Sequence, residues 1–513
     1  ESFFSKIMSK DPSKINLIAN FCNKACSGLF LLVCVPFYLK YLGIEAYGII
    51  GFYMLLSFLL VPFEVAIGAT INRKMAQLTA EEKARTEAAD LFRSLEGVYW
   101  FICLLVGFSL SCLSNSIAYN WMHPVHLSLQ EVAQAVILMG ICLSFQWPNS
   151  LYSSGLMGLQ KQLLVNSVQI FFTFLKSIGM ILVLAFIDPS LRAFFIWQLS
   201  IVILHTLTLT ILLWKNMPQD RGFFRARFCR KLLKQSWPFI SQTFFLTLTS
   251  TCIVSLDKLF INRYTPLEVY GYYILAYNLS NGLYLMIQPF FYSLFPRFSQ
   301  LIAQKKLVDL YKLYENYSQV VAVLVLPLAI LCLCFAKELV FVWIRNHQIV
   351  EKVVPILRLF ILGTACNGLM SVPLALQYSF GWLKAMIWQN IITLTLLFPI
   401  MFLFYEKLGV LAIASIWLIH NLCSLLILPI IHRKLIPKNS TNHWIKEICI
   451  LPLIVPLALN ILAMNFLPKI ESLYLLTIVL SCLGIGSIIF SFCLTSVFRD
   501  WVRKKSSSEV LIK

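Results

Sequence analysis

Residues 37–48 read FYLKYLGIEAYG, and residues 260–271, 223 positions later, read FINRYTPLEVYG. Without a gap, Phe37 falls on Phe260, Lys40 on Arg263, Tyr41 on Tyr264, Glu45 on Glu268, Tyr47 on Tyr270 and Gly48 on Gly271. The same register still holds where Gln77 and Leu78 fall on Gln300 and Leu301. Agreement at one fixed offset over so long a window reads as an internal duplication.

Both copies of the motif sit between long apolar runs. The chain of 513 residues is 59% hydrophobic and only 13% charged, whereas soluble domains carry roughly 25% charged residues. Its mean hydropathy is +0.79. Apolar windows of at least about 18 residues begin near Ile15 and recur until the one near Leu473, fourteen in all. The expectation is an all-α polytopic membrane protein of about 14 transmembrane helices, with no room for a soluble domain. A repeat of six helices, an even number, keeps its orientation in the bilayer. The duplication therefore predicts two six-helix halves related by a pseudo-twofold axis along the membrane normal, with two C-terminal helices appended. In residue numbers these are an N-terminal half over 1–215, a basic cytoplasmic linker over 216–235, a C-terminal half over 236–434, and the extra helices with a basic tail over 435–513.

A formal charge of +19 would point to nucleic acid if it formed a stripe on a soluble face. Here the basic residues fall in clusters between apolar runs, which is a topology signal, so no nucleic-acid partner is expected. Assigning the connections alternately to the two sides puts most Lys and Arg on one side, and both termini with them, in the cytoplasm. The densest cluster, RGFFRARFCRKLLKQ at 221–235, reads as a positive-inside loop or as an interfacial helix on anionic headgroups. The first long apolar run carries Lys24 and no small-residue cleavage site follows it, so no signal peptide is expected. Nearly all of the 15 cysteines lie inside apolar runs and read as free core thiols, with neither a disulfide framework nor a metal set.

Ionisable residues inside spans each cost about 2.5–3.5 kcal/mol unless they face protein or water. Lys24, Lys176 and Arg358 are basic, Glu64 and Glu96 acidic, and Asp257 and Lys258 adjacent. Excess cations suit an anionic cargo such as a pyrophosphate. Lys258 and Arg358 fit snorkelling to the outer interface as well. Glu64, Glu96 and Asp257, with Lys258, either balance charge or carry a coupled proton or sodium ion. Asn20, Asn23 and Gln169 offer amides to sugar hydroxyls, or bond helix to helix. Gly43, Gly48 and Gly271 are hinge candidates between the first two helices of each half. Parallel duplicated halves with short loops suit alternating access around a central site. No HExxH, GxSxG or phosphate-loop pattern occurs, so no catalytic residue and no cofactor is expected, beyond coupling to a proton or sodium gradient.

YLGIEAYG after a long first helix, with its second copy in SLDKLFINRYTPLEVYGYY, resembles the polysaccharide export family of oligosaccharide-lipid flippases over roughly residues 10–435. These belong to the multidrug, oligosaccharidyl-lipid and polysaccharide exporter superfamily, in which the appended helix pair resembles lipid II flippases. The resemblance implies a flippase in a bacterial inner membrane that moves an undecaprenyl-pyrophosphate-linked oligosaccharide of the O-antigen or capsule type. It also implies that Lys24 belongs to the central cavity, and that partners include membrane lipids, a polysaccharide polymerase and a chain-length regulator. A drug/cation antiporter and a lipid II flippase are the alternatives within the superfamily. A membrane glycan polymerase or ligase would need a large outer loop with Arg and His, and the connection near 336–352 is short.

Overall fold

The computed structural model describes residues 12–80, 85–217, 226–436, 441–465 and 472–495. Among the described residues the regular structure is helical, without strands. Twelve of these helices are long and apolar enough to cross a membrane, where the sequence predicts fourteen. The difference has two sources. The span predicted from Ile15 falls in α1 (Pro12–Leu59), where two helices meet at a break at Gly43, and the count takes only Leu32–Leu59 from this stretch. The 37-residue helix Leu267–Ala303 is long enough, but its Tyr, Asn and Gln side chains dilute the apolar run.

The chain divides into two compact units, Glu1–Ile274 and Leu275–Lys513. The first holds α1, α2 (Val61–Ala80), α3 (Arg85–Cys112), the short α4 (Ser114–Asn120), α5 (Leu129–Gly158), α6 (Gln162–Phe186), α7 (Leu191–Asn216), α8 (Arg230–Tyr264) and the start of α9 (Leu267–Ala303). Because α8 packs along α2 and against α1, it belongs to the first unit, and the boundary lies beyond the basic connection at 216–235. Residues 218–225 of that connection lie outside the described residues, as do the basic tail from 496 onward and the start of the chain through residue 11. Phe92, Tyr99, Leu151, Tyr152 and Leu213 are fully buried where α3, α5 and α7 meet.

On the opposite face of α3, Phe101, Leu104, Leu105 and Phe108 are each more than half exposed. Their i, i+3, i+4, i+7 spacing makes one continuous apolar stripe. Water would penalise such a patch, whereas acyl chains solvate it. This is a multi-pass membrane protein.

Two local devices explain the motif YLGIEAYG. Gly43 adopts φ 82°, ψ 174°, a left-handed backbone open to glycine at no steric cost. Two residues on, the Glu45 carboxylate accepts the backbone N–H groups of Val125, of His126 at 2.9 Å and of Leu127 at 3.1 Å. That loop then enters α5 through a capping box, the Ser128 hydroxyl accepting from the Glu131 N–H while the Glu131 carboxylate accepts from the Ser128 N–H.

The repeat also meets itself. A Cβ on Gly48 would stand 2.7 Å from the carbonyl oxygen of Leu267. A Cβ on Gly271 would collide with the carbonyl oxygen of Ile44, and one on Gly51 with the side chain of Ile274. Ile44 and Leu267, Gly48 and Gly271, and Gly51 and Ile274 are each one repeat length apart, so the crossing is locally twofold. Gly43 lies at a backbone break, while Gly48 and Gly271 lie inside helices at a close approach.

The second unit continues α9 and adds α10 (Leu307–Cys334), α11 (Ala336–Ile344), α12 (His347–Phe380), α13 (Lys384–Leu408), α14 (Val410–Leu435), α15 (Thr441–Met464) and α16 (Leu473–Cys493). Its most buried span, α12, packs on α10 and α14. The appended pair docks on α10. Trp444 of α15 is fully buried beside His432, whose Nε2 lies 2.8 Å from the Tyr314 hydroxyl. Leu476 and Leu480 of α16 pack on Leu331 and Phe335.

Candidate functional site

A cavity of about 350 Å³ lies wholly within the first unit, lined from α1, α2, α5, α6 and α7. Within α5 the helical hydrogen-bond ladder is interrupted at Pro148. Trp147 ends one helical run and Pro148, at the first position of the next, lacks the N–H that would continue the ladder. After Pro148 the polar run Asn149, Ser150 and Ser153 faces the cavity.

The lining is a chain of amides and hydroxyls. Asn23 of α1 donates through Nδ2 to Gln169 Oε1 at 2.5 Å and to Asn166 Oδ1 at 3.1 Å. Gln169 Nε2 reaches Ser153 Oγ at 3.4 Å. Asn149 Nδ2 faces His205 Nδ1 at 3.3 Å, and Asn149 Oδ1 accepts from the Thr206 hydroxyl at 2.8 Å. The His205 ring stacks on Phe172 with centroids 4.6 Å apart. Its Nε2 is buried without a hydrogen-bond partner among the described residues.

Two ionisable side chains share this lining, Lys176 of α6 and Glu64 of α2. Both are half-buried. Among the described residues no ion pair joins Lys176 or Glu64 to any group. An ammonium held this way in an amide-lined cavity attracts an anion, which would meet neutral hydrogen-bond donors around it.

Four side chains singled out in the sequence therefore share one cavity: Asn23, Glu64, Gln169 and Lys176. The side chains of Asn20 and Lys24, on the same helix as Asn23, lie outside the described residues. Glu96 lines a separate cavity, where its carboxylate takes Arg93 at 2.6 Å and the Tyr152 hydroxyl at 2.6 Å. Asp257 and Lys258 pair with one another at 3.1 Å, and the Tyr273 hydroxyl donates to Asp257 at 2.7 Å. Arg358 is exposed on α12, in the second unit. His205, Gln146, Asn149, Ser150 and Ser153 were not singled out. The signal that could have found most of them is the polar run NSLYSS at 149–154 inside an apolar span.

The fold is shared with solved transporters. A structure described as the lipid II flippase MurJ in an inward closed conformation matches with a TM-score of 0.69 at 12% identity, over 95% of this chain and 99% of that one. An inward-facing multidrug resistance transporter of the MATE family and MOP superfamily gives 0.64 at 11% identity, over 87% and 96%. The MATE transporter VcmN of Vibrio cholerae, in its bent form, gives 0.53 at 13% identity, over 82% and 98%. At such identities the likeness shows the fold alone. No curated protein matches the sequence. Residues 16–302, more than half of the chain, match the model of the polysaccharide biosynthesis protein family, and the chain belongs to that family.

Proposed function

We propose that the protein is a flippase that carries an undecaprenyl-pyrophosphate-linked oligosaccharide, of the O-antigen or capsule type, from the inner to the outer leaflet of a bacterial inner membrane. The observation that carries this reading is Lys176, an ammonium without an ion pair among the described residues, in a cavity whose other polar lining, Glu64 and His205 apart, is amides and hydroxyls. The cation would attract the pyrophosphate, the amides would take sugar hydroxyls, and the lipid chain would stay in the bilayer. No bond is made or broken, so the protein is not an enzyme, and it needs no cofactor beyond an ion gradient. A polymerase and a chain-length regulator would act on the delivered sugar.

Glu64 in the same cavity favours a second reading, cation antiport with Glu64 as the acidic ligand. Deletion of the gene separates the two. The flippase reading expects lipid-linked oligosaccharide to accumulate on the cytoplasmic leaflet with unchanged sensitivity to cationic dyes. Dye sensitivity with normal arrival of sugars at the outer leaflet would replace it with the antiporter.

Both termini are assigned to the cytoplasm on the positive-inside distribution. An impermeant thiol reagent added to sealed cells should then modify single cysteines placed at Glu268 or Lys407 and spare one placed at Arg227. Modification of Arg227→Cys from outside would invert the topology.

A further inference from the structure

The second unit has a cavity of its own, of about 280 Å³, framed by α9, α12, α13 and α14. Its chemistry differs from that of the first. None of its lining residues is Lys, Arg, Asp or Glu. Five side-chain amides face it: Gln288, Asn367, Gln377, Gln389 and Asn390. Some of these are already fixed. Asn367 Nδ2 donates to Asn421 Oδ1 at 2.9 Å, and Gln389 Nε2 donates to the His420 carbonyl at 2.7 Å and to Ser424 Oγ at 2.6 Å. Others are not. Gln377, 3% exposed, and Ser371, 7% exposed, line the cavity. The Gln377 side-chain Oε1 and the Ser371 hydroxyl have no hydrogen-bond partner among the described residues. A buried acceptor left without a donor costs about 1–3 kcal/mol, so a ligand that brings hydroxyl groups recovers that loss.

Aromatic rings complete the lining. Tyr378 meets Phe291 edge to face at 5.6 Å, and Tyr284 lies in the same wall. Such rings offer flat apolar faces beside the polar groups. Just past Gln389 and Asn390, α13 switches to a π-helical turn at Thr393–Leu397, a local widening that recurs at functional sites.

Charge and polarity decide among ligand classes. Pyrophosphate finds no cation here, and a cationic drug finds no carboxylate. An acyl chain would leave the amides and the two orphaned groups desolvated without partners. A neutral sugar satisfies both sides, with hydroxyls for the amides and C–H faces for the rings. We propose that the cavity among α9, α12, α13 and α14 is a saccharide-binding site that takes neutral sugar residues of the cargo. It rests on the reading of that cargo as a lipid-linked oligosaccharide.

The test uses the full chain in lipid nanodiscs and saturation-transfer NMR. The probes are glucose, galactose, mannose, rhamnose, N-acetylglucosamine and chitobiose, each at about ten times a Kd on the order of 1 mM. At least one sugar should receive saturation. Ala385→Trp, which fills the cavity from a half-buried position without removing core, should abolish the signal. The conservative Ser371→Ala should weaken it about threefold or more. Leu104→Ala, on the exposed apolar stripe of α3 and outside both cavities, should leave it unchanged. No signal from any of the six sugars, or a signal that survives Ala385→Trp, overturns the proposal. Sugar binding that obeys this pattern in a protein whose deletion leaves lipid-linked sugars correctly delivered would keep the site and remove the flippase reading.

Discussion

Lys176→Met is expected to cut delivery of lipid-linked oligosaccharide to the outer leaflet by about tenfold or more, while the purified protein melts at the same temperature or higher. The two effects have opposite signs for one reason. Methionine keeps the length and most of the volume of lysine, so packing on α6 is preserved. It removes an ammonium with no ion pair among the described residues, and burying such a group without compensation costs folding free energy. On the flippase reading, the cargo's pyrophosphate is the group that would pair with it. Lys176→Arg should retain part of the activity, because the charge stays and only its shape changes. Parallel loss of melting temperature and transport in Lys176→Met would reassign the lysine to the fold.

The second large effect is structural. Gly271→Ala should destabilise the protein by about 1–3 kcal/mol through overpacking, because the added methyl collides with the carbonyl oxygen of Ile44. Gly48→Ala should do much the same, because its methyl would stand 2.7 Å from the Leu267 carbonyl oxygen. Backbone cannot swing aside as a side chain can, so one helix must shift relative to the other. Gly97→Ala is the internal control, since a Cβ there meets nothing within 4 Å. It should be neutral or stabilising by up to about 1 kcal/mol, the usual gain of Ala over Gly in a helix. Thermal melting in detergent reads all three. Equal melting temperatures for Gly271→Ala and Gly97→Ala would show that the helices slide freely at this crossing.

Helix positions were legible because the bilayer forces apolar runs of fixed length, and the repeat was legible because an ungapped offset survives in FYLKYLGIEAYG and FINRYTPLEVYG. The unit boundary was not. It depends on α8 lying along α2, a packing choice that leaves no periodic mark. In the site, Asn23, Glu64, Gln169 and Lys176 stood out one at a time as polar groups in apolar surroundings. Their meeting in one cavity depends on how α1, α2 and α6 are arranged around α5 and α7, which sequence spacing does not encode. Glu96, Asp257 and Lys258 drew notice for the same polarity, but each finds a protein partner: Arg93 and Tyr152 for Glu96, and one another for Asp257 and Lys258. His205 escaped notice because a single histidine in an apolar span has no spacing to betray it.

The crossing of Ile44, Gly48 and Gly51 with Leu267, Gly271 and Ile274 sets a limit on how far the two copies can diverge. Elsewhere a residue in one copy answers to neighbours of its own and can drift independently of its counterpart. Here each copy's surroundings are supplied by the other, so a bulkier residue on one side is tolerated only if its mirror position shrinks. Gly51 and Ile274 already show that trade, the small residue of one copy making room for the large residue of the other. At this crossing the two copies are thus bound to change together rather than one at a time.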